Sequence, residues 1–144
     1  MLSVAESKRK FFKFCTAKSL LYGQQIGWYK ADVVYKENWL AFLKKAVQIR
    51  YDLRHFFKTA TLLPPLDVKT DLPEKITSPA MHYTEDIHIP QILSAAWLSG
   101  DKEELVIILI NLSENEGGYD IDLSRTNKLF DAKLDALQGK LGNT

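Results

Sequence analysis

Apolar residues in the first sixty positions recur mainly at the three- and four-residue spacing of helices. From Ser3 to about Leu21, Phe11, Phe14, Cys15, Lys18 and Leu21 define one face. Ser3 caps this predicted helix, and Glu6, three residues on, completes a capping box. Phe12 falls off the face and hints at contacts on more than one side. The short apolar stretch Leu21 to Ile26 is bounded by glycines and reads as a buried strand. Gly23 would allow close backbone approach there, and Gly27 a sharp turn into Trp28 and Tyr29. A long helix is predicted from about Lys36 to Phe57. Its stripe is Trp39, Phe42, Leu43, Ala46, Ile49, Leu53, Phe56 and Phe57, with Lys44, Lys45, Gln48, Asp52 and Lys58 largely opposite. Arg50 and Arg54, one turn apart, are assigned to a solvated face.

Thr61 to Met81 carries Pro64, Pro65, Pro73 and Pro79, a spacing that prevents regular helix and disfavours central strands. It reads as a semi-extended connector. From Asp86 the period changes to two. Ile87, Ile89, Leu93, Ala95 and Trp97 alternate, with Pro90 marking an edge or a bulge. Ser99-Gly-Asp-Lys102 is a turn signal. The apolar run Leu105 to Ile110 wants cover on both faces and is expected to be a central strand; left uncovered it is an aggregation hazard. Tyr119, Ile121 and Leu123 alternate with Asp120 and Asp122, completing an expected three-stranded meander. Leu129, Phe130, Leu134, Leu137 and Leu141 have helical spacing, with a weak strand and frayed end as the alternative.

The expected class is therefore α+β. Residues 1–60 give helix, strand and long helix; 61–85 are the Pro-rich connector; 86–144 form a small antiparallel β unit with a tail. One strand cannot form a parallel sheet. The neighbours of Leu21 to Ile26 must come from the C-terminal strands, another copy, or a chain portion outside these residues.

Composition narrows the function classes. The 144 residues include 19 basic and 18 acidic side chains, a net charge of +1. Such balance gives no reason to expect nucleic acid or an anionic membrane as partner. No apolar run is long enough to span a bilayer. Lys13 and Lys18 interrupt any signal-like apolar region behind Lys8, Arg9 and Lys10, so the expected compartment is the cytoplasm. The basic cluster Lys8, Arg9, Lys10 and Lys13 reads most simply as a solvated helix face. The lone Cys15 makes no internal disulfide and reads as a small buried hydrophobe.

Catalytic patterns are sparse. His82, Glu85, Asp86 and His88 are close in sequence but match no established ligand spacing. There is no Gly-rich phosphate loop, nucleophile elbow or zinc-protease helix, so neither cofactor nor metal is expected. Glycoside hydrolysis needs two carboxyl groups across the bond, and Asp32 is the only carboxylate in the loop after the predicted strand. Asn111-Leu-Ser113 is a formal glycosylation sequon. Trp28 and Tyr29 either form a sugar- or ligand-stacking surface or lid the local core. At least one of Gln24 and Gln25 is expected to face a polar cavity or hydrogen-bond network.

Several blocks together carry a resemblance: Leu21-Tyr-Gly-Gln-Gln-Ile-Gly-Trp28, Val47-Gln-Ile-Arg-Tyr51 with Phe56-Phe57, and Leu63-Pro-Pro65. Ile89-Pro-Gln-Ile-Leu93 with Ala96-Trp97, and Leu109-Ile-Asn-Leu-Ser113, continue it. The chain resembles the C-terminal end of a glycoside-hydrolase-like (β/α)8-barrel family, largely described as a domain of unknown function. The resemblance implies a last barrel strand and its loop, then the last barrel helix, then the β-sandwich that follows the barrel. Catalytic groups of barrel enzymes come from the ends of several strands, so the acid and nucleophile would lie upstream. What it carries over is one edge of a sugar site, Gln24, Gln25, Trp28 and Tyr29. The implied function is a truncated C-terminal part without independent catalysis. The alternative is a small carbohydrate-binding or accessory module. The implied partners are carbohydrate and the missing barrel portion or a partner chain.

Overall fold

The computed structural model describes residues 4–27, 37–73, 75–79, 86–126 and 136–142. They form a mixed α+β fold. Helix α1 is Val4–Leu21, α2 is Glu37–Asp52, and the single turn α3 is Phe56–Thr59. The strands are β1 (Thr61–Leu62), β2 (Asp67–Thr70), β3 (Lys75–Pro79), β4 (Asp86–Pro90), β5 (Ile92–Leu98), β6 (Leu105–Asn111), β7 (Gly117–Asp122) and β8 (Ala136–Leu141). They make two three-stranded antiparallel sheets, β1-β5-β6 and β2-β7-β8, and a separate β3-β4 ribbon.

The predicted strand at Leu21 to Ile26 is not a strand. Leu21 is the last residue of α1, Tyr22 and Gly23 turn, and Gln24 to Gly27 have no regular structure. The cause is the cap. Gly23 adopts φ +63°, its N–H bonds Leu20 C=O (3.1 Å), and Gln24 N–H bonds Ser19 C=O (2.8 Å). A left-handed glycine closing this pair of bonds is a common helix stop. An apolar run ending in glycine serves a buried helix end as well as a buried strand.

The buried face of α1 is also rotated from the predicted one. Phe12, Lys13, Thr16, Ala17, Leu20 and Leu21 are buried, whereas Phe11, Phe14 and Cys15 are half-buried and Lys18 is exposed. Phe12 stacks on Trp39 of α2 with ring centroids 5.0 Å apart. Arg9 and Lys13 are not part of a solvated face: Arg9 pairs with Glu114, and Lys13 is buried over the Phe42 ring. Ser3 lies outside the described residues. On α2 the predicted stripe holds in outline. Trp39 and Ala46 are buried, Phe42, Ile49, Leu53, Phe56 and Phe57 pack against the core, and Lys44, Lys45, Gln48, Asp52 and Lys58 are exposed. The long helix breaks at 53–55 before α3.

The expected three-stranded meander splits. β5 and β6 form an in-register hairpin, Leu98↔Leu105 to Ile92↔Asn111, around the predicted Ser99–Lys102 turn. Glu104 N–H donates to Ser99 Oγ, and Glu103 N–H to Asp101 Oδ1, which closes the turn. β7 then leaves this sheet and pairs with β2 and β8. The run Leu105–Asn111 is consequently an outer strand, not the central one expected; β5 is central. Its period-two pattern explains how it is used. Val106, Ile108 and Ile110 face the helices along with Leu93, Ala95 and Trp97.

The Pro-rich stretch forms β1, β2 and β3 in place of a strandless connector. The prolines do not interrupt β1 or β2: Pro64, Pro65 and Pro73 fall between strands, and Pro79 is the last residue of β3. The tail contributes β8 to the β2-β7-β8 sheet, the strand alternative for 136–141; 127–135 lie outside the described residues. One hydrophobic cluster joins Ala17, Leu20, Leu21 and Ala46 of the helices to Ile89, Ala95, Trp97, Ile108, Ile110 and Leu112 of the β part.

Candidate functional site

The end of α1 is pinned from two directions. Trp97 of β5 donates its indole N–H to Leu21 C=O (2.8 Å), satisfying a carbonyl that the helix leaves open. Arg50 of α2 donates from Nη2 to Gly23 C=O (2.8 Å). A Cβ on Gly23 would stand 3.3 Å from Trp97 Cη2 and 3.5 Å from Phe57 Cδ1. The expected close approach at Gly23 therefore exists, with side chains as the neighbours. Phe57 meets Trp97 edge-on at 5.0 Å.

This joint shapes a groove of about 540 Å3 beside it. Gln25, Ile26, Arg50, Tyr51, Arg54 and Phe57 line it, as do Val47 and Lys58. The Arg50 guanidinium carbon lies 4.8 Å from the Phe57 ring centroid, and that of Arg54 lies 3.9 Å from the Tyr51 centroid. Arg54 Nη1 also donates to Tyr51 C=O (2.7 Å). A ring contact and a backbone bond engage each planar fork, and each bond uses one of its five donors. Arg50 is half-buried, so its assignment to a solvated face fails; it is a joint residue as well as a groove wall. Asp52, the nearest carboxylate in sequence, accepts from Gln48 Nε2 (2.8 Å) and does not line the groove.

Of the four predicted site residues, Gln25 lines this groove, and Gln24 is exposed beside it. Trp28 and Tyr29 lie outside the described residues, as does Asp32. Arg50, Tyr51 and Arg54 were not singled out as site residues. Their signal is two arginines and an aromatic residue within one helical turn, which also fits an ordinary solvated face.

The remaining candidates resolve as structural. Asn111 is 2% exposed; its amide donates to Asn115 C=O (2.7 Å) and Gly142 C=O (3.3 Å), and its Oδ1 accepts from Ser113 N–H (2.9 Å). It ties β6 to the following turn and to the end of β8, and is not available as an acceptor for a glycan. His55 and His88 are exposed, and His82 and Glu85 lie outside the described residues. Among the described residues no group of His, Cys, Asp or Glu is arranged to hold a metal ion. Burial pushes the Cys15 thiol above its usual range, with Lys18 opposing, which suits an inert side chain better than a nucleophile. A second cavity, about 170 Å3, lies between α1, α2 and β6 and is walled mainly by Leu20, Phe42, Ala46, Ile49 and Leu109. Among the described residues no helix is long and apolar enough to cross a membrane.

The chain matches no family model, no curated protein and no solved structure.

Proposed function

We propose that this chain is the C-terminal part of a glycoside-hydrolase-like protein, the end of its barrel followed by its β-sandwich, and that it holds carbohydrate without cleaving it alone. The observation that supports this best is the make-up of the groove. It offers aromatic and aliphatic surface, a planar amide and fixed guanidinium donors, the groups that hold a hydroxylated ring. Among the described residues its lining contains no carboxylate, and hydrolysis requires two. The barrel-end part of the reading rests on the sequence resemblance alone, and its expected partner is the missing barrel portion or a partner chain.

Calorimetric titration of the whole chain with a panel of oligosaccharides tests the binding claim. Binding is expected, weakened at least about tenfold by Gln25→Ala, the loss of a hydrogen bond to a sugar hydroxyl with its amide left bare. Silence across the panel defeats the claim. Turnover of aryl-glycosides that vanishes in Asp32→Asn replaces it with an enzyme.

A further inference from the structure

We infer that the groove selects an acidic sugar, one bearing a carboxylate, over a neutral one. The inference rests on the carbohydrate reading above and narrows it. Arg50, Arg54 and Lys58 follow one another at four-residue steps along the groove wall. Among the described residues none that lines the groove is acidic, and neither arginine forms an ion pair with a carboxylate. Three basic side chains gathered in one groove repel one another, and a bound anion offsets that repulsion. The guanidinium carbons lie 4.8 Å from the Phe57 ring centroid and 3.9 Å from the Tyr51 centroid, and each fork also donates to a backbone carbonyl, which reduces the ordering that binding requires. A planar guanidinium matches a planar carboxylate through two parallel hydrogen bonds.

The rest of the groove matches a sugar rather than a bare anion. Val47 and Tyr51 are 47% and 58% exposed, an apolar shoulder next to the arginines with nothing to recommend it to a free inorganic ion. Gln25, also in the lining, supplies both a donor and an acceptor, which suits hydroxyl groups. The volume, about 540 Å3, falls in the range of small-ligand sites.

The test titrates the whole chain at low salt with digalacturonate, with its neutral methyl ester, and with inorganic phosphate, followed by calorimetry and by amide shifts. Digalacturonate is expected to bind at least about tenfold more tightly than the ester. Phosphate is expected to compete weakly. Arg54→Gln is expected to remove most of that preference, the acid losing far more affinity than the ester, and the fold is expected to persist because Arg54 is exposed and its loss spares the Arg50 bond to Gly23. Lys58→Gln is expected to act in the same direction more weakly. Equal affinity for acid and ester overturns the acidic preference and leaves the carbohydrate reading standing. Phosphate competing as well as digalacturonate overturns it in favour of a general anion site. If neither sugar binds, both readings fall.

Discussion

Lys13 carries a charge into the contact between α1 and α2. The residue is 5% exposed, and its Nζ lies 5.6 Å from the centroid of the Phe42 ring. Burial lowers its pKa from the usual 10.5, nearby Arg9 lowers it further, and Glu114 opposes both. Between the folded value and 10.5 the unfolded chain binds a proton that the folded chain does not. Stability contributed by this group therefore rises with pH through that window. Cys15 works the other way: its raised pKa makes stability fall as pH passes 9.0. Comparing the native chain with Lys13→Met isolates the lysine. Denaturant unfolding between pH 8 and 10.5 is expected to show the native chain gaining relative to the variant, by at most about 1.4 kcal/mol per pH unit. Parallel curves would mean that the ammonium is solvated in the folded state. At this scale the sequence misled for a physical reason. Phe11, Phe12 and Phe14 surround Lys13 within one turn, so helical spacing alone does not single out a buried face. Packing against Trp39 selects the face of Phe12.

The joint between α1, α2 and β5 is a property of elements. The indole of Trp97 and the guanidinium of Arg50 hold adjacent parts of one helix end, and Gly23 supplies both the left-handed turn and the space for Trp97. Trp97→Phe keeps an aromatic ring but leaves the Leu21 carbonyl without its indole donor. It is expected to lower unfolding free energy by about 1–3 kcal/mol. Gly23→Ala adds a Cβ at positive φ and 3.3 Å from the indole, and is expected to destabilise by about 1 kcal/mol or more. Chemical denaturation reads both, and a change below about 0.5 kcal/mol in either would show that the joint does not hold the helix end. The elements themselves were partly legible. Both helices, the Ser99–Lys102 turn and the alternating strands follow from spacing and turn chemistry. Strand order was not, because Leu105–Ile110 is apolar on both faces and nothing local says whether a third strand lies beside it. The paired strand Tyr119–Asp122 finds Thr70–Asp67 instead, some fifty residues upstream. That partner sits in a stretch whose prolines argued against strands.

For the whole molecule, the hydrophobic cluster links the helices to the β part rather than filling two separate cores. Ala17, Leu20, Leu21 and Ala46 meet Ile108 and Ile110 of β6 and Trp97 of β5 in one contiguous cluster. A peptide of residues 1–60 loses that apolar cover and is expected to melt without a cooperative transition, whereas the intact chain unfolds cooperatively. Far-UV circular dichroism on heating distinguishes them; a sharp transition in the short peptide would establish the helices as an independent unit. The candidate groove belongs to the same scale. Its walls come from residues 25–26 and 47–58, and the joint that brings them together includes Trp97.

Local chemistry determined where the helices lie, where Ser99–Lys102 turns the chain, and which strands alternate, since periodicity and backbone freedom act over a few residues. Tertiary structure decided that Gln24 to Gly27 form no strand, that Leu105–Asn111 is an outer strand, that β7 joins β2, and that Arg50 and Arg54 line one groove with Gln25. Those outcomes depend on which distant surfaces bury each other, and apolar burial is non-directional. A hydrophobic stretch declares that it needs a partner without declaring which one.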